Sequence, residues 1–153
     1  GWFRMILFDV HAALVTALDA ALTTPVFDSF PNTNDDLREF VCVGPGFDSD
    51  DAGETVSDWH DAPWGNRAED GICRVSVVVQ SGDDAVSAMR TRCGVIVDAI
   101  LTAITANPSL GVDADRMDPQ IMRIETKHRV GVSDYGPYVE AVLSVHYRAI
   151  DAY

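Results

Sequence analysis

The sequence has one lysine, Lys127, and only eleven basic residues in all, against 24 Asp and Glu. The formal net charge is −13 and the isoelectric point about 4.4. Binding nucleic acid by neutralising phosphates needs clustered Lys and Arg, so the composition excludes that class of function. Cysteines are three, Cys42, Cys73 and Cys93, odd in number, far apart, and without a Cys-x-x-Cys pair. A disulfide framework and a thiolate zinc site are both disfavoured, and a reducing compartment suits the chain. No run of about 18 uncharged apolar residues is present, which leaves no candidate membrane helix. The apolar stretch "GWFRMILFDVHAALVTALDAAL" is broken by Arg4, Asp9, His11 and Asp19 and reads as a packed amphipathic helix, not as a leader segment. Missing too are a Gly-x-Ser-x-Gly elbow, a glycine-rich phosphate loop and a His-Glu-x-x-His motif.

The patterns that are present describe one domain over 1–153, a length that buries a substantial core without staples. Ile6, Val10, Leu14, Leu18 and Leu22 recur at helical spacing until Thr23-Thr24-Pro25. "LREFVCVG" (37–44) alternates and stops at Gly44-Pro45-Gly46, which predicts a strand. Residues 47–69 form a strongly acidic excursion, with room for one further strand. "DGICRVSVVVQSG" (70–82) predicts a central strand with Cys73, Val75, Val77 and Val79 on one face and Arg74, Ser76 and Gln80 on the other. Ser81-Gly82-Asp83-Asp84 is expected to cap a long helix whose stripe runs Val86, Met89, Cys93, Ile96, Val97, Ile100, Leu101, Ile104 and which Asn107-Pro108 stops. Strands over 120–130 and 138–150 with a turn at 131–137 complete an α-β-β-α-β-β order. The last strand is expected to point Val139, Ala141, Leu143, Val145, Tyr147 and Ala149 inward, and Glu140, Ser144, His146 and Arg148 outward. That order predicts an α+β fold: a mostly antiparallel or mixed sheet with two main helices on one face.

Three stretches invite a functional reading, each with a plainer one beside it. In "FDSDDAGE" (47–54), Asp48, Asp50 and Gly53 match positions 1, 3 and 6 of a calcium loop. Position 5 is Ala52 and position 12 is Trp59 where a bidentate Glu is required, so a solvated acidic segment is preferred. In "DWHDAPW" (58–64), Asp58, His60 and Asp61 offer a base with orienting carboxylates, the basis of a small metal-dependent hydrolase. The four histidines are scattered, and little else of an active site accompanies this one. Trp59 and Trp64 fit either a partner surface or packing over a sheet edge. Charge is also unevenly placed: twelve acidic residues lie between Asp28 and Asp70, while Arg116, Arg123, Lys127, Arg129 and Arg148 fall in the last third. Ordinary solvated faces explain this, and so does an acidic segment of one subunit meeting a basic sheet face of another. The candidate partner-interface residues are Phe47, Asp48, Asp50, Asp51, Glu54, Trp59, Trp64, Arg123, Arg129 and Arg148. No catalytic, cofactor or metal residue is assigned.

The full order of elements resembles the tail-terminator proteins of long-tailed bacteriophages and related archaeal tailed viruses. The resemblance covers nearly the whole chain and is carried by "VGPG" after the first clear strand, "GICRVSVVVQSG", and the helix running into "NPSLG" before "VEAVLSVHYRA". It implies a non-enzymatic virion protein without cofactors, assembled in the host cytoplasm as a ring of six copies on the head-proximal end of the tail tube. Such a ring stops tube polymerisation, contacts tube protein on one side and a neck or head-completion protein on the other, and lets DNA pass without specific binding. Another head–tail joining protein and a ligand-binding α+β dimer are the neighbouring expectations.

Overall fold

Ile6, Val10, Leu14 and Leu18 lie one helical turn apart and are all fully buried, which sets the face on which the first helix packs. In the computed structural model, residues 5–31, 37–47, 51–59, 67–82, 85–112, 119–134 and 136–151 are described; for Asp58, Trp59, Arg67 and Asp151 the backbone alone is described. The elements are α1 (Leu7–Ala21), β1 (Val26–Phe27), β2 (Glu39–Val43), β3 (Gly53–Trp59), β4 (Arg67–Gln80), α2 (Val86–Ala106), β5 (Gln120–Ser133) and β6 (Gly136–Asp151). The order β1-β2-β4-β6-β5 runs across a six-stranded sheet, with β3 also hydrogen-bonded to β4. Strand β1 is parallel to β2 and every other pairing is antiparallel. This is the expected α+β domain, with both helices on one face of the sheet.

Strand β4 organises the sheet because it is long enough to be paired along both edges. Residues 75–79 pair with β2 and residues 67–73 with β3 on one side, and β6 pairs along the full length of the other. Its alternation places Cys73, Val75, Val77 and Val79 under the helices, and β6 adds Val139, Ala141, Leu143, Val145, Tyr147 and Ala149. Helix α2 closes this core with Met89, Cys93, Ile96, Ile100 and Ile104. Past the C-cap Asn107, Leu110 (φ 56) and Gly111 (φ 72) turn the chain back in the left-handed region. Glycine accepts that geometry freely and leucine does not; burial of the Leu110 side chain holds it there.

One option left open by the sequence is settled and three expectations are revised. The acidic excursion contains β3, and β4 begins at Arg67, so much of 47–69 is sheet. The turn expected at 131–137 is strand at both ends: β5 runs to Ser133 and β6 starts at Gly136, so the hairpin is tight despite Gly131 and Pro137. Ser81 does not cap α2. The N-cap is Ala85 with no side-chain cap bond, while Ser81 is buried and donates its N–H to Pro137 O at 3.3 Å. Finally, the outward face of the sheet is only partly solvated. Phe40, Cys42, Val78 and Tyr138 form a second buried cluster there, covered by Phe27, Phe30, Leu37 and Phe47.

Candidate interaction surface

The face of the sheet away from the helices carries most of the residues singled out in the sequence. At its β1–β2 end the chain after β2 folds back over the sheet. Ring centroids lie 5.6 Å apart for Phe30 and Phe40, 5.0 Å for Phe30 and Phe47, and 4.5 Å for Phe47 and Tyr138. The crossing is close enough that a Cβ on Gly46 would lie 2.5 Å from Glu140 Oε2 and 2.8 Å from Ser76 Cβ. Only glycine fits between the passing backbone and the sheet. The next N–H, from Phe47, donates to Glu140 Oε2 at 2.6 Å, and the Ser76 hydroxyl donates to Gly44 O at 3.2 Å. Glu140, outward on β6 as expected, is therefore fully buried. Burial, and secondarily the nearby Glu140 charge, push the Cys42 thiol up to about 12.

Beyond this lid the face opens. Arg74 donates to Asp51 Oδ1 at 3.1 Å and to Ser144 Oγ at 2.7 Å, and marks the border. Next comes a concavity of about 540 Å³ lined by Glu54, Val56, Asp70, Ile72, Met122, Arg123, His146 and Arg148. Its polar side chains are paired, Arg148 Nε with Asp70 at 3.0 Å and His146 Nε2 with Glu125 at 2.5 Å across strands, and Arg123 with the same Glu125 at 3.2 Å along β5. Its apolar members are unusually open, Val56 at 60% and Met122 at 65% exposure. Met122 stands out because a register shift between Ile121 and Arg123 leaves it as the extra residue of a bulge. Past the concavity, Arg123, Glu125, Lys127 and Arg129 succeed one another at two-residue spacing along the same face of β5. The Arg129 guanidinium sits 5.7 Å over the Tyr138 ring.

Of the predicted interface residues, Asp51, Glu54, Arg123, Arg129 and Arg148 thus share one face. Phe47 shares it too, but its ring is packed into the lid. The Trp59 side chain, Asp48, Asp50 and Trp64 lie outside the described residues, as do His60, Asp61 and Arg116; Asp58 contributes described backbone to β3. Sequence reading missed Val56, Ile72 and Met122 as members of this surface, and counted Lys127 only among the basic residues of the last third. The alternation of Glu54 and Val56 with Thr55 could have signalled β3, but nothing in the sequence marks the Met122 bulge.

Among the described residues the core under the helices encloses a carboxylate and a phenol. Glu69, fully buried on β4, accepts the Ile6 N–H at 3.1 Å and the Tyr147 hydroxyl at 2.6 Å. Helix α1 has no side-chain cap of its own, so this carboxylate, reaching across from the sheet, occupies the position a capping side chain would fill. Tyr147 lies across Gly71, its register partner, where any Cβ would strike the ring. Burial first, then the Glu69 hydrogen bond, raise the Tyr147 phenol above its ordinary range. Cys73 and Cys93 are core residues as expected, their thiols pushed up by burial to about 12 and about 11. Among the described residues no cluster of three or more His, Cys, Asp or Glu could hold a metal ion, and no helix is long and apolar enough to cross a membrane. A scan of family models returns no match for this sequence, and no curated protein is matched by it.

Proposed function

We propose that the chain is an assembly subunit: a tail-terminator protein that forms a ring, of six copies by the resemblance, on the head-proximal end of a viral tail tube. There it stops tube polymerisation and joins the tail to the neck. The observation that carries the reading is β5. It is a 14-residue edge strand, ten of whose residues are exposed, and no strand among the described residues pairs along its outer edge. Long open edges invite pairing with another chain, and soluble monomers usually blunt them. Here the edge also presents exposed Met122, Val130 and Val132, interleaved with Arg123, Lys127 and Arg129. Val130 and Val132 on one side of the strand, and Met122 among Arg123, Glu125, Lys127 and Arg129 on the other, suit a heterologous contact repeated around an axis. The net charge of −13 suits a ring through which DNA passes without adhering.

The test is to add the purified chain to polymerising tube protein and image the tubes. The expected result is a single ring at one end and tubes that no longer lengthen. Binding along the tube, or unaltered tube growth, would sink the reading.

A further inference from the structure

A second groove lies on the opposite face, between α2 and β5, where the helix layer stops one strand short of the sheet edge. It encloses about 230 Å³, and its walls include Arg90, Gly94 and Asp98 of α2 with Thr126 and His128 of β5. Gly94 is nine residues into a 21-residue helix, and a Cβ placed on it would meet nothing within 4 Å. Glycine weakens a helix interior, and at this position no packing among the described residues requires it. Close approach of another backbone would.

Four residues on either side of Gly94 stand Arg90 and Asp98, both exposed and neither in an ion pair among the described residues. They sit one turn before and one turn after the glycine, about 12 Å apart along the axis. This arrangement is its own complement. A copy of α2 laid antiparallel across the groove, with a twofold axis at Gly94, brings each Arg90 to the other copy's Asp98. The flanking Thr91 and Thr102 hydroxyls already donate to Ser87 O and Asp98 O at 3.0 and 2.9 Å, so these side chains can turn their methyl groups to a partner.

The geometry points to a second copy of this chain as the occupant: two molecules pair through the α2–β5 groove about a twofold axis at Gly94, with Arg90 of each opposite Asp98 of the other. Such an isologous contact closes on itself and leaves the outer edge of β5 free, so it is independent of any ring made through that edge.

Sedimentation velocity of the full chain across a wide concentration range tests the pair. The unaltered chain is expected to show a monomer–dimer equilibrium. Arg90→Asp and Asp98→Arg should each weaken it by about tenfold or more, as a close interfacial charge pair does. The combined swap should restore it, because each copy then offers the reversed but still complementary pair. Gly94→Leu, whose Cβ has open space around it, fills the groove and should give monomer with a thermal melt at least as high as that of the unaltered chain. A chain that is monomeric throughout would overturn the proposal. So would a double swap no better than the single changes, or association that persists in all these variants, as association through β5 would.

Discussion

The Glu69 carboxylate is the residue on which most of the buried polar chemistry converges. It is shared by the α1 entry and by Tyr147, so its removal strands two donors at once. Tyr147→Phe, which deletes one of the hydrogen bonds, should cost about 1–3 kcal/mol in urea denaturation. Glu69→Leu should cost more than Tyr147→Phe. The double variant should cost less than the sum, because the phenol no longer waits for a lost acceptor. Gly46→Ala tests the other close approach. The added methyl must displace the segment that carries Phe47 across Glu140 and Ser76, at about 1–3 kcal/mol. Near-ultraviolet circular dichroism should report it, since Phe47 would lift from Tyr138. If the aromatic signal and the stability both stay unchanged, the lid is not held as described.

At the scale of elements, those whose apolar period ran unbroken were legible before the structure. The stripe from Met89 to Ile104, the run Cys73 to Val79 and the alternation Val139 to Ala149 each sort their side chains as the periodicity predicts. Elements were misjudged where one face is polar enough to resemble a loop. Strand β3 offers only Val56 and Trp59 as large apolar residues among acids and hydroxyls, and the β5 extension carries Gly131 and Ser133. The outer lid was hidden for a different reason: Phe40, Cys42, Tyr138 and Glu140 sit at formally outward positions, and only the return of the chain through Gly46 covers them. The interaction surface was half legible, because charge at two-residue spacing on β5 can be read from sequence and a bulge cannot. Strand β5 also makes a prediction of its own. Val132 is 81% exposed, so Val132→Lys should shift stability by less than about 0.5 kcal/mol. The same substitution places a charge on the edge and should abolish tube capping if that edge builds the ring. Capping by the variant at undiminished strength would remove β5 from the interface.

For the molecule as a whole, the three buried thiols set an alkaline limit. Their ordinary value is 9.0, and in the folded protein they are held at about 11 to 12. Well below pH 9 both states keep the proton, and the stability associated with the neutral core is fully present. As pH rises from 9 toward 11–12 the unfolded chain loses thiol protons that the folded chain retains, so unfolding becomes easier. Each thiol removes about 1.4 kcal/mol per pH unit across that window. Urea midpoints measured at pH 6.5, 7.5 and 10.5 should be level over the first step and fall over the second. Cys42→Ala should make that fall shallower. A flat profile to pH 10.5 would mean that the thiols are reached by water in the folded state.

The position of β4, paired along both edges, also bears on how the molecule comes together. Its partner β6 follows only after α2 and β5 have been laid down. The β5–β6 hairpin is local and can close within microseconds. The register of β4 against β6 joins distant parts of the chain and must wait for loop closure, which places folding in the slower range of mixed α/β domains. On a ribosome the far edge of β4, with its unpaired N–H and C=O groups, emerges well before the strand that will cover it. During that interval the central strand of the native sheet is itself an open edge.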